Sequence, residues 1–133
     1  MKLQENIAAC VTTFAQVGAL AALEGPSELV DQMVATYAER RDYLVAALAK
    51  IPGIQFCVPQ GTFYIFLDIS ATKMTVSAFA EDLLKKQRVV MVPGEAFGEN
   101  GKNYVRISFA TSMETIQEGI KRLAVYMQTH INF

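Results

Sequence analysis

Residues 62–69, Thr-Phe-Tyr-Ile-Phe-Leu-Asp-Ile, constrain the rest of the chain most. They read as a long strand whose two alternating faces are both apolar. Such a strand sits centrally in its sheet, because an edge or solvated position would leave one face uncovered. The remaining sequence must therefore supply neighbouring strands and a covering layer.

Three further strands fit the pattern: residues 55–58, Val89 to Val92 stopped by Pro93-Gly94, and Tyr104 to Phe109. The cover is helical. Residues 5–24 read as a helix apolar on most faces, which needs packing from several sides. Gly25-Pro26-Ser27 breaks it, and Ser27 is placed to cap the next helix. Residues 28–51 repeat Leu29, Val30, Met33, Val34, Tyr37, Leu44, Val45 and Leu48 at helical spacing until Ile51-Pro52-Gly53. Residues 76–87 put Val76, Phe79, Ala80, Leu83 and Leu84 on one side. Thr111 to Glu114 has the spacing of a capping box ahead of a last helix with Ile116, Ile120, Leu123, Ala124 and Met127. The order α-α-β-β-α-β-β-α predicts an α+β fold: a small, mostly antiparallel sheet of about four strands packed against helices.

Composition limits the function. With 133 residues, 52% hydrophobic and 19% charged, the chain has the material for one domain with a real core, which excludes dominant disorder. Twelve Lys and Arg against thirteen Asp and Glu leave a net charge of -1. That balance argues against nucleic acid and against an electrostatic membrane anchor. Thr12, Thr13, Gln16 and Gly18 interrupt the apolar stretch from Ile7 to Leu23, so it is not expected to span a bilayer. Cys10 and Cys57 form no C-x-x-C pair, and His130 is the sole histidine, so a zinc site lacks ligands. Reduced, buried thiols in a cytoplasmic protein are expected.

Arg106 is the most informative single residue. Strand alternation puts Val105, Ile107 and Phe109 on one face and Arg106 and Ser108 on the other. Its guanidinium is either solvated and salt-bridged or held for a carboxylate or phosphate, which its planar fork matches with two parallel hydrogen bonds. The loop from Pro93 to Gly101 is glycine-rich but lacks phosphate-loop spacing and carries Glu95 and Glu99, so it reads as a connection. Gln60-Gly61-Thr62 reads as a turn, or as a close backbone approach to a ligand. Arg40-Arg41-Asp42 reads as a solvated helix face, and His130 as a surface histidine without a partner.

Four segments in this order carry a resemblance: Tyr37 to Gly53, Pro59-Gln60-Gly61-Thr62-Phe63-Tyr64, Val92 to Gly98, and Val105-Arg106-Ile107-Ser108-Phe109-Ala110. Together they resemble the C-terminal part of class I/II aminotransferases, pyridoxal-phosphate enzymes of fold type I, of the aspartate/aromatic type. The resemblance covers nearly the whole chain. It implies that Arg106 binds the α-carboxylate of an amino-acid substrate and that Gly61 and Phe63 border the substrate. It implies pyridoxal 5'-phosphate in the full-length enzyme, with none expected on this chain, since no lysine has the context of the family's Schiff-base lysine. No catalytic residue is therefore expected here.

The same resemblance divides the chain. Residues 1–25 become a helix leading out of a missing N-terminal large domain, and 26–133 the small domain. Amino acid and 2-oxo acid would be the substrates of the intact enzyme, and a homodimer its assembly. Where many relatives carry Ser-Asn-Pro, this chain has Ala9-Cys10-Val11. Two readings of other classes remain: a free-standing amino-acid-binding module, and an oligomerisation module without catalysis.

Overall fold

The computed structural model describes Ile7 and residues 10–131. The chain forms two compact units, Met1–Val34 and Ala35–Phe133. In the first, helix α1 runs Thr13–Glu24. The helix expected over 5–24 is interrupted, because Cys10 to Thr12 is not helical; residues 5, 6, 8 and 9 lie outside the described residues. Val11, Thr12 and Thr13 are β-branched in succession, which disfavours helix. Thr12 takes φ -57° and ψ 141°, and its carbonyl accepts from the N–H groups of Ala15 and Gln16. The Gln16 amide closes the turn on the Val11 carbonyl at 2.7 Å. No residue of α1 is buried.

Helix α2 runs Glu28–Leu48 and crosses the boundary between the units. At its start the Ser27 hydroxyl donates to Asp31 at 2.9 Å. It ends three residues before the expected stop, where the Ile51 N–H bonds the Leu48 carbonyl and tightens the last turn.

The second unit holds the sheet: β1 Gln55–Phe56, β2 Tyr64–Asp68, β3 Val92–Pro93 and β4 Tyr104–Ser108. The order is β1-β2-β4-β3 and every pairing is antiparallel. The strand inferred to be central is indeed internal, paired with β4 from Tyr64 opposite Ser108 to Asp68 opposite Tyr104. The strand expected over Val89 to Val92 is shorter and shifted. Only Val92 and Pro93 meet β4, and Val90 is exposed.

Helices α3 (Val76–Gln87) and α4 (Met113–His130) complete the unit. Ile65, Leu67, Val105 and Phe109 from the sheet join Phe79 and Leu83 of α3, Leu123 and Met127 of α4, and Leu44 and Leu48 of α2 in one core. Leu84, expected on the buried side of α3, is exposed. Thr75 caps α3 by accepting from the Ala78 N–H. The cap of α4 is Ser112, which accepts from the Thr115 N–H, one position later than the box expected at Thr111 and Glu114. Both cysteines, expected as buried thiols, are free and exposed.

Candidate functional site

The antiparallel register sets Phe66 and Val92 directly beside Arg106, on the sheet face away from the core. Strand alternation brings Tyr64 to the same face, two residues before Phe66. The Arg106 guanidinium carbon lies 4.1 Å from the centre of the Tyr64 ring and 4.4 Å from that of Phe97. The guanidinium is thus gripped by two aromatic rings, and Phe97 is braced edge-on by Phe66 at 5.6 Å. Each such cation–ring contact contributes about 0.5–2 kcal/mol, more as water is excluded.

Arg106 Nε is buried and has no hydrogen-bond partner. Among the described residues Arg106 forms no ion pair, so the salt-bridged alternative finds no support. A buried N–H left unpaired costs about 1–3 kcal/mol. A strand arginine held against two rings, with hydrogen-bonding capacity to spare, is chemically suited to a planar anion such as a carboxylate.

Phe63 reaches this site through its neighbour. Its ring packs on Tyr64 at 4.4 Å and on Tyr37 at 5.8 Å, and its carbonyl accepts from the Phe109 N–H. Gly61 sits apart from these contacts, because a Cβ placed on it would meet nothing within 4 Å. Thr62, at φ 64°, supplies the sharp turn, with its hydroxyl accepting from the Tyr64 N–H. Of the residues expected to line the site, Arg106 and Phe63 are linked through Tyr64, and Gly61 is not joined to them. The resemblance set Tyr64 in the segment bordering the substrate but not against Arg106, and Phe97 was missed as a site residue. Their aromatic type beside an arginine strand was the available signal, but the pairing depends on register and loop shape.

The remaining candidates fall elsewhere. Arg41 pairs with Asp42, and Arg40 lies over the Tyr37 ring, as a helix-face cluster would. His130 is not the partnerless histidine expected. It stacks on Tyr126 at 3.9 Å, and its Nε2 is 3.4 Å from Asp82. Hydrogen bonds from Lys86 and Tyr126 hold the Asp82 carboxyl below its usual value. Burial, and then the bond to Asp82, pushes the Tyr126 phenol well above its usual value. A hollow of about 490 Å³ opens beside Met91, Ile107 and Ile120, rimmed by Arg88 and Arg122. Ile107 faces away from Arg106, so this hollow is on the other side of the sheet from the guanidinium.

The profile of the family described as Aminotransferase class I and II matches residues 2–123. The chain belongs to this aminotransferase family. An aspartate aminotransferase of Pyrococcus horikoshii is 42% identical over 124 residues, which are 92% of this chain and 32% of that protein. A probable aspartate/prephenate aminotransferase of Aquifex aeolicus is 45% identical over 118 residues, covering 85% and 29%. The crystal structure of an aromatic aminotransferase from Pyrococcus horikoshii superposes with a TM-score of 0.86 at 38% identity, covering 96% of this chain and 34% of that one. The chain spans about a third of the length of the curated relatives it matches.

Aminotransferases of this family are in general pyridoxal-phosphate-dependent. That cofactor requires a lysine for its aldehyde and an acid or arginine for its ring nitrogen. The described side chains recorded against Arg106 are the Tyr64 and Phe97 rings, which offer neither group. The described residues around the arginine therefore do not fit a cofactor site.

Proposed function

We propose that this chain is the substrate-carboxylate-holding, C-terminal part of an aminotransferase that moves an amino group from an amino acid to a 2-oxo acid. The observation that carries this reading is Arg106: held against the Tyr64 and Phe97 rings, with a buried Nε and no ion pair among the described residues. Its fork fixes the α-carboxylate, and fixing that group orients the bond at Cα that the reaction must break. Phe63, and more loosely Gly61, border the substrate. Pyridoxal 5'-phosphate and its lysine belong to a longer protein, in which 26–133 is the small domain and 1–25 leads out of the large one.

The names of the relatives support amino-acid and 2-oxo-acid substrates. A homodimer is supported by Phe14, Val17, Leu20 and Leu23 of α1, all exposed apolar residues that a partner surface would cover. Free cysteines at both positions suit a reducing, cytoplasmic compartment. Among the described residues no helix is long and apolar enough to cross a membrane.

The test is a nuclear magnetic resonance titration of the ¹⁵N-labelled chain, following the Arg106 side-chain N–H signals. L-alanine is expected to shift them saturably. L-alaninamide, which lacks the carboxylate, and the Arg106→Lys chain are expected to give no response. Equal shifts with alanine and alaninamide would remove the carboxylate reading.

A further inference from the structure

The loop between β3 and β4 reads in the sequence as a plain connection, yet its shape is tightly determined. Residues 94–97 and 99–101 each form a 3-10 turn. A Cβ on Gly94 would lie 2.5 Å from the carbonyl oxygens of Gly101 and Tyr104, and one on Gly101 would collide with the carbonyl oxygen of Gly94. The two ends of the loop therefore touch backbone to backbone, which no other residue type permits. Gly98 stands at φ 121°, a left-handed conformation, and its N–H bonds the Glu95 carbonyl. The Glu95 carboxylate in turn accepts from the Ser77 hydroxyl in the first turn of α3.

The residue this loop presents to the sheet is Phe97. It is half-exposed, at 51%, so core burial does not account for its place. Its ring contacts are the Arg106 guanidinium at 4.4 Å and the Phe66 ring at 5.6 Å. The Tyr64 ring meets the same guanidinium from within the sheet, at 4.1 Å. The terminal group of an arginine turns about four side-chain bonds, and a single ring leaves it free to swing. A second ring on the loop removes that freedom before any ligand arrives, which lowers the entropy lost on binding.

We propose that Phe97 is a positioning residue: the closed loop 94–101 sets its ring against Arg106 and so fixes the plane in which the guanidinium meets a carboxylate. The purpose assigned to this clamp rests on the carboxylate-binding reading of Arg106, while the clamp itself is read out without any ligand. The loop thereby couples the first turn of α3, through Ser77 and Glu95, to the orientation of the arginine on β4.

The experiment measures the Arg106 Nε–Hε signal of the ¹⁵N-labelled 133-residue chain, assigned by its loss in Arg106→Lys. In the unaltered chain the proton is expected upfield, shielded by the two rings, with slow solvent exchange and an order parameter near the rigid value of about 0.85. In Phe97→Leu, with the backbone amides of Val105 and Ile107 unmoved, the order parameter is expected to fall below about 0.6. The upfield shift should shrink and the alanine-induced shift should weaken. Phe97→Tyr should restore all three. A Phe97→Leu signal as rigid and as shielded as the original overturns the proposal. So does a mobile, unshielded signal in the unaltered chain, which needs no variant to be read. A rigid, shielded signal that ignores alanine supports the clamp and overturns the substrate reading.

Discussion

Tyr126 donates its phenolic hydrogen to the Asp82 carboxylate at 2.7 Å, joining α4 to α3 across residues 44 apart in sequence. The His130 ring lies nearly parallel to Tyr126, at 13°, and Lys86 pairs with the same carboxylate at 2.9 Å. The phenol body is buried in the core while its oxygen reaches the Asp82 carboxylate. Phe79 meets the Tyr126 ring edge-on from α3, so the two helices are locked by apolar and polar contacts at one point.

Tyr126→Phe keeps the packing and deletes the hydroxyl. It is expected to lower stability by about 1 kcal/mol, read from urea unfolding. The phenol's folded value lies above its unfolded one, so its contribution is complete below about pH 10 and is lost as pH rises through the folded value. Tyr126 should therefore ionise only with alkaline unfolding. Its late step in the tyrosinate absorbance should vanish in Tyr126→Phe.

Acid works in the opposite direction. Asp82 is lowered by Lys86 and then Tyr126, Glu118 by its bond from Arg122, and Glu114 by its own N–H and then the Ser112 hydroxyl. A carboxyl whose folded value is depressed stabilises above its unfolded value of about 4 and loses that effect as pH falls through the folded value. Stability should decline below about pH 4. A thermal midpoint unchanged between pH 5 and pH 2.5 would contradict these three assignments.

The start of α4 can be located by substitution. Ser112→Ala is expected to cost about 1 kcal/mol through loss of its bond to the Thr115 N–H. Thr111→Ala should change the unfolding midpoint by far less. The reverse ranking would move the cap to Thr111.

In a longer enzyme containing this chain, Arg106→Lys keeps the charge but loses the fork. The expected loss is about 2–3 kcal/mol, or roughly a hundredfold in kcat/KM for amino-acid substrates. A variant with unaltered kcat/KM would mean that another group holds the carboxylate.

Pyridoxal phosphate added to the 133-residue chain and reduced with borohydride is expected to label lysines sparsely and without preference. Complete labelling of one lysine, seen by peptide mass mapping with a shifted absorption band, would show that the chain carries its own cofactor site.

The elements with a strong period were legible in the sequence. The central strand was recognisable from its two apolar faces, and α3 and α4 from the spacing of Phe79, Leu83, Ile120 and Leu123. Alternation also sufficed to place Arg106 opposite Val105. What escaped depends on distant pairing. Phe97 meets Arg106 only because Gly94 and Gly101 touch, and His130 meets Asp82 only because two helices pack. Cys10 and Cys57 defeated a rule of residue type, since a thiol's usual burial does not say which segments the core absorbs. The break at Cys10 to Thr12 had a local signal in the β-branched run Val11-Thr12-Thr13, which the apolar content around it obscured.

The sheet's outermost strands, β1 and β3, are only two residues long. One lies between Pro52 and Pro59, and the other ends in Pro93 itself. Proline brings no N–H to a ladder, so a foreign strand approaching either side finds few rungs to climb. Copies of this chain that meet at high concentration are thereby kept from knitting their sheets into a continuous ribbon.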